Sequence, residues 1–393
     1  MTAQLVIVAA RRTPIGAFQG TLSALTAPQL GAVAARAALA DSGISSELLD
    51  EVIFGCVLPA GQGQAPARQA AIGAGIAASV PATTVNKMCG SGMRAIMAGG
   101  DQILAGHAAA ILAGGLESMT NAPYLLPKAR SGYRMGHGEI VDHMFYDGLQ
   151  SPWDGQSMGC FADVTAEKYG FSRADQDAFA AESVRRAQGA SRGGDFAAEI
   201  APAVVKTRKG ETTVAQDETP FTLDIDKIPT LKPAFGKNGT VTAASSSSIS
   251  DGAAAVVVTS AAFAAKHGLK PLARIAAYAS HAQAPEWFTT APAPAISKAI
   301  GLAGWKLSDV DLFEINEAFA CVTMAAMKDL GLEHARVNVN GGACALGHPI
   351  GATGARIVTT LLHALSKRGL KRGVASQCIG GGEATAIAIE LVG

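Results

Sequence analysis

The sequence predicts an α/β protein made of two duplicated α/β halves, with an α-rich region inserted into the first. Three observations predict it. Short β-branched runs alternate with small-residue helical stretches at both ends of the 393-residue chain, as in strand–helix–strand units. The same three signals recur in the same order near each end: LLDEVIFGCV and LSDVDLFEIN, VNKMCGSGMRA and VNVNGGACALG, AAAILAGGLESM and GVASQCIGGGEATA. That implies duplication of a whole half rather than a short repeat. The middle differs in character, holding pattern-breaking prolines and charged helices such as TAEKYGFSRADQDAFAAESVRRAQ. The first half is therefore assigned to 1–119 with 246–270, the insertion to 120–245 and the second half to 271–393. Such copies face each other most simply across a pseudo-two-fold axis.

Taken in order, LVIVAA (5–10) and EVIFGCV (51–57) read as strands and PQLGAVAARAALADSG between them as a helix, the unit of a mostly parallel sheet. After VNKMCGSG, the run MRAIMAGGDQILAG places its apolar residues on one helical face. A strand, AAAILAGGLESM, follows. The insertion then runs through turn-rich joins such as SRGGDF and VKTRKGETT before AAAVVVTS returns to the sheet. Strand and helix alternate again from Pro271: LARIAAYAS, a helix over about 294–303, DVDLFEIN, a helix through EAFACVTMAAMKDLG, a strand VNVNGG, a helix through GATGARIVTTLLHALSKRG, and GVASQCIGGGEATAIAIELV.

Composition excludes several classes. Lys plus Arg and Asp plus Glu balance at 32 each, so no basic field points to nucleic acid or an anionic membrane. Scarce aromatics argue against base-stacking platforms. The opening TAQLVIVAARRTPIG lacks the basic, apolar and small-residue order of a signal peptide, and no apolar run reaches a membrane span; a cytoplasmic location is expected. The six cysteines form no CxxC pair and no ligand-like spacing, so neither zinc nor a disulfide framework is expected.

Ligands in open α/β sheets bind at the carboxyl ends of strands, and here each such end carries a reactive residue. Cys89 sits where a strand hands over to a helix N-terminus, framed by Gly90 and Gly92. Helix-terminal N–H groups there can lower a thiol pKa from about 8.5 into the range of roughly 3.5–7.5, and absent side chains let a carbonyl approach. His348 lies in the glycine-dense loop GGACALGHPIGATG, and Cys378 precedes three glycines whose backbone could nest an oxyanion. The pair Asn316–Glu317 either caps the helix that follows or faces the site. Two glycine-framed cysteines and a glycine-framed histidine fit acyl transfer: one thiol as nucleophile, activated by histidine, the other moving a proton, with backbone N–H groups holding developing charge.

With these residues in view, the chain resembles the thiolase family over essentially its whole length. ARRTPIGAF, GQGQAPARQAA, VNKMCGSG, AGGLESM, LKPAF, GTVTAASSSSISDGAAA, NEAFA, VNVNGGACALGHPIGATGAR and CIGGG carry the resemblance. It implies a thiolase fold layered αβαβα, with Cys89 as the acylated nucleophile, His348 as its activator and Cys378 as the acid/base at carbon. Asn316 would hold a water that, with His348, stabilises the thioester enolate, and the N–H groups of Cys89 and Gly380 would form a second oxyanion hole. Phe235, Ser247 and Phe319 would line a pantetheine tunnel; Met158, Ala244 and Phe288 are further expected substrate-pocket positions.

The resemblance implies coenzyme A as substrate and product, acyl-CoA and CoA as partners, no metal or other cofactor, and a homotetramer (dimer of dimers) held partly through 120–145. Within the family the chain looks most similar to biosynthetic acetyl-CoA acetyltransferases. A degradative 3-ketoacyl-CoA thiolase is the nearest alternative, and a non-catalytic acyl-CoA or lipid-binding relative a remote one. An acyl-carrier-protein-dependent condensing enzyme pairs its cysteine with two histidines, whereas here Asn316 takes the second position. The chain departs from common family residues at Ser157, Pro220, Phe221, Ser245, Ser250 and Phe288. A bulky Phe288 is expected to favour short acyl groups.

Overall fold

The computed structural model describes residues 4–208 and 210–392; the outermost positions of the two expected halves, and Lys209 in the 205–213 join, lie outside them. The first part of the chain forms strands β1 (Leu5–Arg12) and β2 (Gly16–Ala17), helix α1 (Ala27–Ser42), β3 (Glu51–Gly55), α2 (Pro66–Gly73), β4 (Ala82–Val85), α3 (Ser91–Leu104) and β5 (Ala110–Ser118). Then come the short pair β6 (Tyr124–Leu125) and β7 (Val141–Asp142), helices α4 (Met158–Tyr169) and α5 (Arg173–Arg192), and the hairpin β8 (Ala203–Thr207) and β9 (Gly210–Val214). The rest holds β10 (Ser250–Ser260), α6 (Ala261–Lys266), β11 (Ala273–Ala282), α7 (Pro292–Leu302), β12 (Leu312–Ile315), α8 (Ala320–Leu330), α9 (Ala343–Leu346), α10 (Thr353–Arg368), β13 (Arg372–Ile379) and β14 (Glu383–Leu391).

Local chemistry sets the helix ends. In α1, Thr26 and Gln29 form a reciprocal capping box, Pro28 occupies the first turn, and Gly43 closes the helix in the left-handed region at φ 69°. Ser172 and Asp175 cap α5 in the same way.

The long strands form one mixed sheet in the order β12-β13-β14-β11-β1-β10-β5-β3-β4, with β2 paired to β10. The expectation of a mostly parallel sheet is corrected. Only β3–β4, β3–β5 and β12–β13 are parallel; β5–β10, β10–β1, β1–β11, β11–β14 and β14–β13 are antiparallel. Parallel neighbours need a helical crossover, which β3, β4 and β5 have, whereas the three glycines between β13 and β14 make a tight reversal. The two halves meet at the antiparallel β1–β11 pair, and β3, β5, β10 and β1 take the same relative places as β12, β13, β14 and β11.

VNVNGG is not a strand, unlike its counterpart β4. It makes a single bridge, Val337 to Phe313, because Asn338 turns to φ 48°. The Asn338 side chain stands in for the missing ladder: the Ile315 N–H donates to its Oδ1 at 2.8 Å, and its Nδ2 donates to the Ile315 carbonyl at 2.8 Å.

Helices α3 and α10 lie side by side between the two halves of the sheet. Each packs on strands of both, α3 against β3, β5, β10 and β14, and α10 against β10, β5, β1 and β12, β13, β14. Helices α1 and α2 cover one outer face and α7 with α8 the other, which gives the αβαβα layering. The period of two along a strand divides the cores: Val6 and Val8 join the outer cluster, Leu5 and Ile7 the central one. Among the described residues no helix is long and apolar enough to cross a membrane.

The segment between β5 and β10 is pinned to β1 by charge. Arg12, fully buried, donates to Glu199 at 2.6 Å and to both oxygens of Asp217 at 2.7 and 2.9 Å. Removing one partner of a buried ion pair leaves uncompensated charge. Arg12→Ala is therefore expected to cost about 3–5 kcal/mol, measured as a lowered urea midpoint.

Candidate active site

Cys89 sits in a strained turn between β4 and α3. Met88 before it adopts φ 47°, a conformation that costs a non-glycine residue energy and is kept where surroundings enforce it. They do so here: the Met88 N–H donates to Asn86 Oδ1 at 2.9 Å, the Ser91 hydroxyl donates to the Met88 carbonyl at 2.6 Å, and the Lys87 N–H donates to Ser91 Oγ at 2.8 Å. Gly90 is required by close approach, since a methyl group there would overlap Ile379. That contact seats the end of β13, and so Cys378 and Gly380, against the Cys89 turn.

The backbone N–H groups of Gly380 and Cys89 point at the Cys89 sulfur, but burial outweighs them and pushes the thiol up to about 11. The helix-terminal lowering expected from sequence is thus not the dominant effect: the resting sulfur is a neutral thiol that needs a base.

The base is placed by the loop before α10. Gly347, at φ 101°, leaves room for Ser250 behind the loop. Thr353, in the first turn of α10, donates its hydroxyl to the Pro349 carbonyl at 2.9 Å, so toward His348 Nδ1, 2.6 Å away, it acts as acceptor. This puts the proton on Nδ1 and makes Nε2 an acceptor. Burial, with the charge of Arg356, pushes the His348 imidazole down to about 3, which keeps it neutral at working pH. On the far side Asn316 Nδ2 lies 3.4 Å from Nε2.

Glu117, buried at the end of β5, accepts N–H groups from Val57, Leu58 and Gly351, tying the His348 loop to the loop after β3; burial pushes its carboxyl to about 7. Thr353 and Glu117 were not singled out from sequence. Thr353 lies five residues past His348 within the glycine-dense loop, a signal that could have found it, whereas Glu117 looked like an ordinary strand end. Thr353→Val keeps shape and loses the acceptor for Nδ1. It is expected to lower kcat by about tenfold to a hundredfold with KM nearly unchanged, as steady-state kinetics would show.

Cys378 is fully buried, within electrostatic range of Cys89, and burial followed by that neighbour pushes its thiol well up. Asn316 and Glu317 do not cap the next helix, which begins at Ala320 with Phe319 as its unbonded cap. Asn316 faces His348 instead. Glu317 accepts from Asn338, Ser183 and the Cys344 N–H, bracing the loop on which His348 stands.

A cavity of about 430 Å³ opens onto His348, lined among others by Met158, Phe235, Ser247 and Phe319; Phe235 and Phe319 meet edge to face at 5.8 Å. Two expected pocket residues are corrected. Ala244 is buried with Ala180, Ala181 and Ile228, away from the cavity, which its neighbour Ala243 lines. Phe288 is not on the wall: it is buried behind it with Phe161, Phe319 and Cys378.

Ser157 reaches the cavity wall, its hydroxyl 3.4 Å from Cys160 Sγ. Ser245 and Ser250 close local turns, Ser245 Oγ accepting from the Thr242 N–H at 2.8 Å and the Ser250 hydroxyl donating to the Ser248 carbonyl at 2.9 Å. Phe221, beside Pro220, lies under Arg192. A second cavity of about 500 Å³ begins at Met88, Met158, Gly380 and Gly381 and extends between Tyr146, Pro152 and Trp153.

A duplicated α/β fold with a cysteine on a strained turn, a second buried cysteine within its electrostatic range and a neutral buried histidine is the framework of an acyltransferase. Comparison with known proteins agrees. The model of the thiolase N-terminal domain matches residues 5–262 and that of the thiolase C-terminal domain residues 269–391: the chain belongs to the thiolase family. Among its relatives are acetyl-CoA acetyltransferases of Pseudomonas aeruginosa, 50% identical over 98% of either chain, and of Escherichia coli, 49% identical over 98% of either. The crystal structure of the Bacillus anthracis acetyl-CoA acetyltransferase, 40% identical, superposes with a TM-score of 0.97 over 100% of this chain and 99% of that one.

Proposed function

We propose that this chain is an acetyl-CoA C-acetyltransferase, joining two acetyl-CoA into acetoacetyl-CoA and CoA, reversibly, through acetyl-Cys89. The observation that carries the reading is the meeting of the Cys89 and Gly380 N–H groups at one sulfur, within electrostatic range of Cys378. In the first half-reaction His348 Nε2 takes the Cys89 proton, the thiolate attacks the acetyl thioester, and the proton passes to the departing CoA sulfur. In the second, His348 takes the Cys378 thiol proton, to be returned to Cys89 when it leaves, and the Cys378 thiolate removes a proton from the methyl of a new acetyl-CoA. Asn316, through a water, and His348 hold the enolate oxygen while its carbon attacks acetyl-Cys89. The Cys89 and Gly380 N–H groups hold the second oxyanion, and Cys89 leaves.

Relatives that are acetyl-CoA acetyltransferases support acetyl transfer. Coenzyme A serves as substrate and product, and the chemistry calls on no metal or other cofactor. A homotetramer, a dimer of dimers, working in the cytoplasm without nucleic-acid or membrane partners, completes the reading. One observation favours a second reading, a degradative 3-ketoacyl-CoA thiolase of broader chain length: the second cavity leads away from Gly380 and is larger than an acetyl group needs. CoA-dependent loss of acetoacetyl-CoA, measured beside 3-oxooctanoyl-CoA, tests both. Loss confined to the C4 substrate supports the first reading; equal or faster loss of the C8 substrate replaces it with the second. A non-catalytic carrier predicts loss of neither.

A further inference from the structure

Behind Asn316 lies a polar cluster that the acyl chemistry does not use. Glu314 on β12, Gln377 on β13 and Thr385 on β14 are buried and point to the central layer, sharing strand parity with Leu312, Ala375 and Ile387 of the central core. Above them stands the first turn of α10. Its Arg356 is 2% exposed and one turn beyond Thr353, and its Gly354 adjoins the Gln377 amide. Arg356 Nη1 approaches Glu314 Oε2 only to 3.7 Å, longer than a direct hydrogen bond. All three guanidinium nitrogens of Arg356 lack a hydrogen-bond partner among the described protein groups, as do Glu314 Oε1, Asn316 Oδ1, Gln377 Oε1 and Nε2, Thr385 Oγ1 and Glu199 Oε2.

Buried groups left so would each cost roughly 1–3 kcal/mol in a native fold. Where they converge in a polar space they are satisfied by buried water making 2–4 hydrogen bonds. A polar contact held apart beyond about 3.5 Å is the usual setting for a bridging one.

We propose that Arg356, Glu314, Gln377 and Thr385 enclose a buried water cluster that ends on the Asn316 side-chain oxygen and fixes how its amide faces His348. The four are positioning residues: none touches substrate, and each acts through the water on Asn316. The surrounding charges suit this. Arg356 faces Glu314 and Glu317 at the end of β12, Glu199 from the segment before β8 and Arg12 on β1, while Arg368 also acts on Glu314. Burial pushes the Glu314 carboxyl to about 8, so at neutral pH it is a neutral acid able to donate into the cluster.

The inference rests on the proposed acetyl transfer, so its test reads that step too. Full-length protein is crystallised at atomic resolution, and Gln377→Leu, Arg356→Met and Glu314→Gln are assayed for condensation and, by mass, for acetylation of Cys89. The expected result is ordered water bonded to Arg356 and Gln377. Gln377→Leu should lower kcat by about tenfold to a hundredfold with KM for acetyl-CoA within about twofold. Glu314→Gln, which keeps shape and a donor, should stay within about threefold of wild type and lose any limb of kcat near pH 8. Arg356→Met should resemble Gln377→Leu; if it does not fold, the other two variants decide. Direct protein partners in place of water, or wild-type kcat in Gln377→Leu while Cys89 still acetylates, overturns this inference alone. Wild type that fails to acetylate overturns the acetyl-transfer reading and this inference with it.

Discussion

Cys89→Ala is expected to abolish turnover, with kcat for acetoacetyl-CoA cleavage falling on the order of 10⁶-fold, the scale at which nucleophile deletions act, while the fold and CoA binding persist. The turn that carries it is held by Asn86 and Ser91 bonding the Lys87 and Met88 backbone rather than by the Cys89 side chain, so truncation leaves the turn intact. Mass spectrometry after incubation with acetyl-CoA should show one acetyl group on wild type and none on the variant; acetylation elsewhere in the variant would remove Cys89 from the role.

The same sulfur carries a pH signature. With burial holding the thiol at about 11, only about one molecule in 10⁴ is thiolate at pH 7. Raising pH deprotonates it, so inactivation by iodoacetamide should quicken by about tenfold per pH unit between pH 7 and 9.5 in the absence of substrate. A plateau near neutrality would mean instead that the Cys89 proton already rests on His348.

The sequence made Cys89, His348 and Cys378 legible because glycines frame each of them, a pattern that survives without coordinates. The structure sets Cys89 with Gly380 and Cys378, and His348 with Asn316. What the sequence could not carry was the balance of opposing effects at one atom: helix-terminal N–H groups and burial both act on Cys89, and only the packed structure shows burial ahead. Nor could it place residues whose neighbours lie far along the chain. Ala244 and Phe288 occupy pocket-like positions in the sequence, yet one turn's rotation buries Ala244 on Ala180 and Ala181, and Phe161 draws Phe288 behind the wall.

The strand expected at VNVNGG failed for a backbone reason. Its alternating pattern suits a strand, but Asn338 turns to positive φ and hands the pairing to its side chain. The mixed sheet was hidden because strand direction depends on how the chain crosses over, which the periodicity of a strand does not record. The five layers were implied by the family resemblance, and duplicated halves with one-sided helices have few other ways to bury both faces.

Cys378→Ala is expected to separate the two half-reactions. The first needs only Cys89, His348 and the two N–H groups, so the variant should still take one acetyl group from acetyl-CoA and exchange labelled CoA at close to the wild-type rate. Carbon–carbon bond formation and cleavage need a proton moved at carbon, while His348 is engaged through Nε2 with the thioester. These steps should fall by about 10²–10⁴-fold, the usual worth of a positioned acid or base.

Alanine at the buried Cys378 removes a single heavy atom from a cluster of Phe161, Phe288, Phe319 and Cys321, so any destabilisation should stay well below the unfolding free energy. The contrast between retained exchange and lost condensation is what distinguishes an acid/base at carbon from a packing residue. If exchange and condensation fall together, Cys378 supports the geometry of Cys89 instead; if neither falls, proton transfer at carbon belongs to His348 alone and the second thiol has no part in the chemistry.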